Sequence, residues 1–325
     1  MRGKRVVFAG LFALMLSGAL WVTRSEAREG TVKKVADGVW FREGERTHQG
    51  HCNNVIIEMD EYLIIVDANF PSGANAVIRD LKSISSKPVK YVFDTHHHGD
   101  HAYGNPVWTK QGATTLAYIG VSEEIARYEP KRWREASKLR EDVAALGLDA
   151  PEGPKQTFSE SPFVMEDGSR RVEFHFFGWA HTRGDGFVYL PKEKILCTGD
   201  AITNGPFNYT GDGYIGNWPK VAQAAKKLDV EVVLPGHGGV GGPELLDGEE
   251  RFMTELHAAV KKAVDGGRKL DEIVSYGRDG EPVSTTIVLS DAVKNWVGDR
   301  LAMQVRDAYE EITQGKPHGE ILAGS

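Results

Sequence analysis

The sequence predicts a mixed α/β (α+β) fold in which two similar halves face each other across one site. Short β-branched and aromatic runs alternate with helical stretches, and the order of strands followed by a helix occurs twice. Several predicted strands end abruptly in histidine or aspartate. From residue 246 onward the pattern is mainly helical. We therefore expect one main domain over residues 28–245, which contains this site, and a helical C-terminal extension over 246–325 that packs on it.

The N-terminal 27 residues have the composition of a signal peptide. The start is basic, residues 6–22 are apolar, and Ser25 and Ala27 place small side chains where a signal peptidase cleaves. The alternative is an uncleaved membrane anchor, for which this run is short, because a spanning helix needs about 20 residues. We expect cleavage after Ala27, a periplasmic or secreted location, and no stable membrane association after cleavage.

The net charge and the cysteine content bear on the expected binding partners and on disulfide bonding. The formal net charge is −7, and an acidic chain of this kind is a poor candidate for binding nucleic acid. A small-molecule substrate is the expected partner. Cys52 and Cys197 are the only cysteines. In an oxidising compartment they could form a disulfide, and two buried free thiols are the equal alternative.

The first half shows a polar loop between strand patterns, a helix and then one more strand. The strands are predicted at residues 39–42, 54–59, 62–68 and 89–95. The loop covers residues 43–52, and apolar residues near helical spacing predict a helix over 72–85.

The second half begins with a charged helical region and returns to strands. Residues 122–147 favour helix, and Pro130 should divide it into two shorter helices. The strands that follow are predicted at residues 163–165, 171–177, 186–190, 194–198 and 230–234. Further helices are predicted at residues 218–228, 245–264 and 290–313. An apolar stripe in the last of these indicates core packing.

Metal-ligand residue types follow four of these strands. The strand at 89–95 ends in a cluster that packing does not require, namely His96, His98, Asp100 and His101. Three more candidates each stand directly after a later strand: His181, Asp200 and His237. A lone histidine of this kind is usually structural, but four clusters at equivalent positions indicate a metal centre. Short loops on rigid strand ends fix ligand geometry before the metal binds.

The number and type of these ligands indicate two ions. One tetrahedral site uses three protein ligands and a water, whereas five imidazoles and two carboxylates suit two ions with one carboxylate bridging. Residues two apart in an extended loop point the same way, so His96 and His98 can share one ion while Asp100 and His101 face the other. The nitrogen-rich set favours zinc, with iron or manganese as alternatives.

At these residues the chain resembles the metallo-β-lactamase superfamily. The motif His96-x-His98-x-Asp100-His101, followed by the three later ligands, matches the superfamily's ligand order over residues 31–245. The resemblance implies a four-layer αββα sandwich with the metals at one edge. It also implies a first metal held by His96, His98 and His181, a second held by Asp100, His101 and His237, and Asp200 as the bridge. Hydrolysis by a metal-bound hydroxide that Asp100 helps to orient is the implied reaction.

Within that superfamily the sequence departs from the dedicated β-lactamases at two positions. Asp200 stands where the subclass with cysteine in its second metal site carries that cysteine, and Thr203 stands where it carries a lysine. The stretches around Trp218 and His237 nevertheless look close to those enzymes. We therefore expect an exported dinuclear zinc hydrolase of an ester, thioester, lactone or amide. The alternatives are a β-lactamase, an iron-dependent sulfur dioxygenase on the same fold, and a binding protein without catalysis.

Substrate contacts are expected from aromatic and histidine side chains near the ligand loops. The candidates are His51, Phe207, Tyr209 and Tyr214. Core or rim packing is the alternative for the aromatic residues, and a solvated loop is the alternative for His51. His97, between two ligands, should point away from the metals and form hydrogen bonds around them.

Overall fold

The computed structural model describes residues 30–323, and the predicted signal peptide lies outside them. Seven strands form the first sheet, and their spatial order is their chain order. These strands are β1 (Val32–Ala36), β2 (Val39–Arg42), β3 (Asn54–Glu58), β4 (Leu63–Val66), β5 (Val89–Phe93), β6 (Thr114–Tyr118) and β7 (Gln156–Phe158). The strands from β1 to β4 pair antiparallel, and those from β4 to β7 pair parallel.

Five strands form the second sheet in the spatial order β12-β11-β10-β9-β8. They are β8 (Phe163–Glu166), β9 (Arg171–Phe176), β10 (Gly186–Leu190), β11 (Ile195–Gly199) and β12 (Val232–Pro235). Only the pair of β11 and β12 within this sheet is parallel. Both sheets therefore present parallel strands whose carboxyl ends carry predicted ligands.

Helices connect and cover the two sheets. They are α1 (Pro71–Leu81), α2 (Gly99–Ala102), α3 (Asn105–Lys110), α4 (Ile119–Leu139), α5 (Glu141–Ala144), α6 (Trp218–Ala225), α7 (Glu244–Asp265), α8 (Leu301–Gln314) and α9 (His318–Ala323). A small hairpin of β13 (Val274–Tyr276) and β14 (Pro282–Thr285) lies between α7 and α8.

Three apolar clusters explain how these layers stack. One joins the facing sides of the sheets and includes Phe41 and Phe174. A second lies between the first sheet and the helices α1 and α3, with Val77 against Ile65. The third lies between the second sheet and α6, α7 and α8, and Trp218 is fully buried within it. Each sheet thus buries one face against the other sheet and one face against helices. This is the predicted αββα sandwich.

The structure corrects the prediction for Pro130. That residue lies inside one continuous helix, α4, and does not divide it. Proline costs about 3 kcal/mol in a helix interior, so other contacts must hold both flanks. Ile125 and Trp133 are buried on either side, and the Trp133 indole donates to the Leu148 carbonyl at 2.8 Å. Ala126, whose carbonyl loses its partner, is exposed, and water can hydrate it.

The prediction for the C-terminal extension was also partly wrong. The helix predicted over 290–313 begins only at Leu301, after an irregular segment with one 3₁₀ turn (Asp291–Val293). The hairpin of β13 and β14 was not predicted, because its strands are short and mostly exposed. The extension is mainly helical, and its apolar stripe packs in the core beneath the second sheet, as Val305 and Ala308 show.

Cys52 and Cys197 are both buried free thiols. Burial raises the pKa of Cys52 to about 12, so this thiol stays protonated at neutral pH. Within residues 30–323, none of the helices combines the length and the apolar character needed to cross a membrane.

Candidate metal centre

The predicted ligands converge at one edge of the sandwich, where strands of both sheets end. His96 to His101 follow β5, His181 precedes β10, and Asp200 and His237 directly follow β11 and β12. The backbone at Gly236 passes very close to this site. A Cβ there would lie 2.2 Å from Asp200 Oδ1 and 2.9 Å from His101 Cε1. Only glycine fits so near the ligands.

Three imidazoles form the first ligand cluster. His98 Nδ1 lies 3.1 Å from His96 Nε2 and 3.0 Å from His181 Nε2. Nitrogen ligands of one tetrahedral zinc lie about 3.3 Å apart, given bonds of about 2.0 Å. Burial lowers the pKa of all three rings, that of His181 to about 3. The rings are therefore neutral, which is the form that binds metal.

A second cluster lies beside the first and contains both carboxylates. His237 Nε2 lies 3.0 Å from Asp100 Oδ2, and His101 Nε2 lies 3.5 Å from the same oxygen. Asp200 stands between the clusters. Its oxygens lie 3.4 Å from His101 Nε2, 3.4 Å from His237 Nε2 and 3.8 Å from His181 Nε2. Asp200 is therefore the one carboxylate of these ligands that approaches both clusters.

Unpaired polar atoms indicate that this cluster is built for a cation. His101 Nε2 and Asp200 Oδ1 are buried, and neither has a hydrogen-bond partner among the described residues. Buried polar atoms are otherwise nearly always paired. Burial works to lower the pKa of His237, but the carboxylates of Asp200 and Asp100 outweigh it and raise this pKa. Positive charge is thus stabilised here, and the donor set fits two metal ions.

The far side of three of the five imidazoles is held by a group outside the predicted ligand set. His98 Nε2 donates to Asp212 Oδ2 at 2.8 Å, and His101 Nδ1 donates to Asp67 Oδ2 at 2.9 Å. His181 Nδ1 donates to the Tyr209 carbonyl at 2.9 Å. Such bonds fix the tautomer and the ring orientation of a metal-binding histidine.

Asp212 is also the centre of a buried charge network. Arg132 donates to its two oxygens at 2.6 and 2.7 Å. Burial disfavours the ionised carboxyl, but hydrogen bonds from His97, His98 and Arg132 outweigh it and hold the pKa of Asp212 well below its usual range. His97 Nε2 lies 3.3 Å from Asp212 Oδ2. The His97 ring therefore points away from the two ligand clusters, as predicted.

Sequence reasoning did not assign Asp67, Asp212 or Arg132. Asp67 directly follows β4, so the same pattern of a polar residue after a strand could have found it. Asp212 lies in a turn outside the regular elements, so no strand or helix pattern indicates it. Arg132 lies in α4, 80 residues from Asp212, and a charged helical face carries no signal that pairs them.

An open cavity of about 360 Å³ lies over the two ligand clusters. Its lining combines ligands, aromatic rings and two arginines: Phe70, His98, Gly99, Asp100, Tyr103, Glu129, Arg132, Ala136, Asp200, Tyr209, His237 and Arg300. Of the four predicted substrate residues, Tyr209 lines this cavity. The centre of the Phe207 ring lies 6.0 Å from that of His237, which lines the cavity.

The other two predicted substrate residues lie away from the lining that the described residues form. His51 is buried, and its Nε2 lies 2.7 Å from Ser72 Oγ. The loop at this position is therefore not solvated. The Tyr214 ring packs edge-on against Trp179 at 6.1 Å. A substrate role for these two residues stays a prediction without a contact to the cavity.

Comparison with known proteins places this arrangement in a family. The sequence profile of the metallo-beta-lactamase superfamily matches residues 49–237, which is more than half of the chain. The chain belongs to the metallo-beta-lactamase superfamily. It is a metal-dependent hydrolase, and the matched segment includes all seven predicted ligands.

Two similar proteins illustrate the range of the sequence relatives. The metallo-beta-lactamase type 2 of Bacillus sp. (strain 170) is 23% identical over 234 residues, which are 69% of this chain and 82% of that protein. The 2,4-dinitroanisole O-demethylase subunit alpha of Nocardioides sp. (strain JS1661) is 26% identical over 216 residues, which are 66% of this chain and 57% of that protein. Identities of this size do not transfer a substrate.

Solved structures of metallo-beta-lactamases have the same fold. The enzyme from Pontibacter korlensis superimposes with a TM-score of 0.56 at 22% identity, over 69% of this chain and 98% of that one. The matched sequence profile ends at residue 237, before the C-terminal extension begins.

Proposed function

We propose that this protein is an exported, dinuclear zinc hydrolase that cleaves an ester, thioester, lactone or amide bond. The observation that carries the proposal is the pair of adjoining ligand clusters with Asp200 between them. Export rests on the signal-peptide pattern of the first 27 residues.

The ligands divide between the two ions by proximity. His96, His98 and His181 would hold the first ion, and Asp100, His101 and His237 the second. Asp200 would contact both. The imidazole-rich set suits zinc better than magnesium or calcium, and iron or manganese are the alternatives. When bound, two such ions supply Lewis acidity and lower the pKa of water between them.

Asp100 has a second role in this proposal, which is to orient the attacking water. Its side chain lines the cavity, and 23% of it is exposed. Burial opposes ionisation, but His101 and His237 outweigh burial and hold the pKa of Asp100 below its usual range. A carboxylate that stays ionised can accept a hydrogen bond from water beside the scissile bond, while the rest of the cavity positions the substrate.

The cavity also suggests a substrate class, because one of its arginines has no acidic partner among the residues that the structure describes. Arg300 lines the cavity and donates to the Phe207 carbonyl at 2.8 Å. No carboxylate of residues 30–323 lies within ion-pair distance of its guanidinium. The other arginine of the lining, Arg132, is already bound to Asp212. We infer that the substrate carries an anionic group, such as a carboxylate, that Arg300 attracts.

Arg300→Gln should raise KM for a carboxylate-bearing aryl ester about fivefold, because an exposed ion pair contributes at most about 1 kcal/mol. The value of kcat should change little. The matched uncharged ester serves as the control, and its KM should be the same in both proteins. An equal rise in KM for both esters would mean that Arg300 does not select for charge.

β-Lactam hydrolysis is the second candidate, because the sequence relatives include metallo-beta-lactamases. At the position where such enzymes carry a lysine, this chain has Thr203, which is buried and hydrogen-bonded to Asn208. That residue cannot bind the carboxylate of a β-lactam. Arg300 is the group in this cavity that could bind such a carboxylate in place of the lysine. The substrate that the protein hydrolyses therefore distinguishes the two candidate functions.

Metal analysis followed by a substrate panel tests the proposal. The panel contains an aryl ester, a glutathione thioester, a lactone and a chromogenic cephalosporin. We expect two equivalents of zinc and turnover of at least one of the first three substrates. Turnover of the cephalosporin alone would favour the second candidate. One equivalent of iron without hydrolysis would overturn the proposal and favour a sulfur dioxygenase.

A further inference from the structure

We propose that the C-terminal extension is part of the metal centre, because α8 and α9 position the loop that orients two ligands of the first ion. This loop consists of residues 207–216 and is called the orienting loop below. The inference rests on the proposed dinuclear centre and adds to it a role for a segment outside the matched profile, which ends at residue 237.

The orienting loop contacts two of the three imidazoles of the first cluster. The Tyr209 carbonyl accepts the Nδ1 proton of His181 at 2.9 Å, and Asp212 accepts the Nε2 proton of His98 at 2.8 Å. Both histidines therefore point their other nitrogen at the metal position only while the loop keeps this conformation.

A buried polar stripe on α8 holds the loop along its length. Gln304 Nε2 donates to the Asn208 carbonyl at 2.8 Å, and Thr210 Oγ1 donates to Asp307 Oδ2 at 2.5 Å. The carboxylate of Glu311 accepts two backbone N–H groups at the end of the loop, at 2.9 and 2.7 Å. Spacings of three and four residues place these side chains on one helix face.

The short helix α9 contacts the middle of the loop, next to Asp212. His318 is fully buried, and its Nδ1 donates to the Gly211 carbonyl at 2.8 Å. The other ring nitrogen lies 3.0 Å from Glu310 Oε2, on α8, which fixes the ring. The Gly319 N–H donates to the Gly213 carbonyl at 3.1 Å. Asp212 thus lies between two loop carbonyls that α9 holds.

These contacts exceed what helix packing needs. Apolar residues of α8 already bury its other side against the second sheet and α7. Burying a glutamine, an aspartate and a histidine costs free energy that hydrogen bonds must offset, and of their polar side-chain atoms Gln304 Oε1 is buried without a partner among the described residues. All three are bonded to the orienting loop or to groups that reach it. Their placement is explained by the precise position that the loop must hold.

The second cluster is oriented independently of the extension. Asp67, at the end of β4, accepts the Nδ1 proton of His101 and also the Thr95 N–H at 2.8 Å. Thr95 and His101 both lie in the segment that follows β5, outside the C-terminal extension. Loss of the contacts from α8 and α9 should therefore weaken the first ion and leave the second ion nearly unaffected. This asymmetry distinguishes positioning from general destabilisation.

The test uses zinc affinity, measured by competition with a chromophoric chelator that resolves the two equivalents. His318→Leu removes the donor to the Gly211 carbonyl, and His318→Asn keeps a nitrogen donor at the Nδ1 position. Gln304→Met removes the contact to Asn208 at nearly constant volume. Thr313→Ala, at an exposed position on the same helix, is the matched control.

We expect one of the two equivalents to bind about tenfold or more weakly in His318→Leu and Gln304→Met, as for other groups that orient metal ligands. The other equivalent should be unchanged, and His318→Asn and Thr313→Ala should bind both ions like the parent. Cobalt-substituted samples should show altered visible bands from one site only. If His318→Leu does not fold, Gln304→Met decides.

Parent-like affinity in both His318→Leu and Gln304→Met, or equal weakening of both equivalents, would overturn the inference. Failure of the proposed function gives a different result. A parent protein that binds two ions and hydrolyses none of the substrates contradicts the function, while the affinity comparison between the variants still decides the role of the extension.

Discussion

Asp100→Asn should lower kcat by about 100- to 10,000-fold, the contribution expected of a group that orients the proton of an attacking water. The substitution keeps the size of the side chain and removes its charge. It also removes an anionic ligand from the second cluster, so the second zinc equivalent should bind more weakly. Steady-state kinetics at saturating zinc, on whichever ester or lactone the parent hydrolyses, measures the first effect.

The control for this variant is a carboxylate of the same type outside the cavity. Asp265 lies at the exposed end of α7, and its side chain is 61% exposed and paired with Lys261. Asp265→Asn should leave kcat and zinc content unchanged. An Asp100→Asn enzyme with parent activity on every substrate of the panel would instead support a binding protein in which the cluster is not catalytic.

Asp212→Asn should destabilise the zinc-loaded protein by about 2 to 4 kcal/mol, because it removes one of the two buried carboxylates that pair with Arg132, the other being Glu129 at 3.0 Å. The lower part of this range applies because 33% of the Arg132 side chain is exposed, so that solvent screens the interaction. Zinc affinity at the first cluster should fall about 10- to 100-fold, because His98 loses the carboxylate that fixes its ring. Urea unfolding and chelator competition measure the two effects.

A second substitution separates these two roles of Asp212. Arg132→Met removes the guanidinium that has lost the Asp212 carboxylate, so the double variant should recover part of the stability but not the part that the pair with Glu129 contributes. It should not recover the zinc affinity, because His98 still lacks its carboxylate. Recovery of both together would show that Asp212 acts only through Arg132 and has no direct role in orienting the histidine.

The convergence of the candidate metal ligands could be predicted from the sequence because each follows a strand whose pattern is clear. His96 and His98 follow a β-branched run, and Asp200 and His237 follow two others. The ends of parallel strands in one sheet lie at the same edge, so residues far apart in the chain meet there. Whether these residues are ligands in solution is what the metal experiments decide.

The groups that orient the ligands could not be predicted in the same way. Asp212 lies in a loop without regular structure. Its partners are Arg132 of α4, 80 residues away, and His98 in the segment after β5, 114 residues away. Nor does helical periodicity show that buried polar residues of α8 contact this loop. An apolar stripe predicts which side of a helix is buried, but not which loop its polar neighbours bind.

The start of α8 in the extension and the continuity of α4 through Pro130 could not be predicted from the sequence either. Proline disfavours a helix locally, yet packing on both sides of Pro130 keeps α4 continuous. The segment before Leu301 has apolar residues that suit a helix, but Trp296 instead packs across the α7 glycine Gly248. In both cases tertiary contacts outweigh local preference.

Stepwise zinc loading tests the central claim most directly. The metal-free chain, prepared with a chelator, is titrated with zinc while bound metal and hydrolysis are measured at each addition. The dinuclear centre predicts that the hydrolytic rate rises until two equivalents are bound and then stays constant. A rate that is already maximal at one equivalent would contradict the two-metal mechanism, and a loaded protein that hydrolyses nothing would contradict the proposed function.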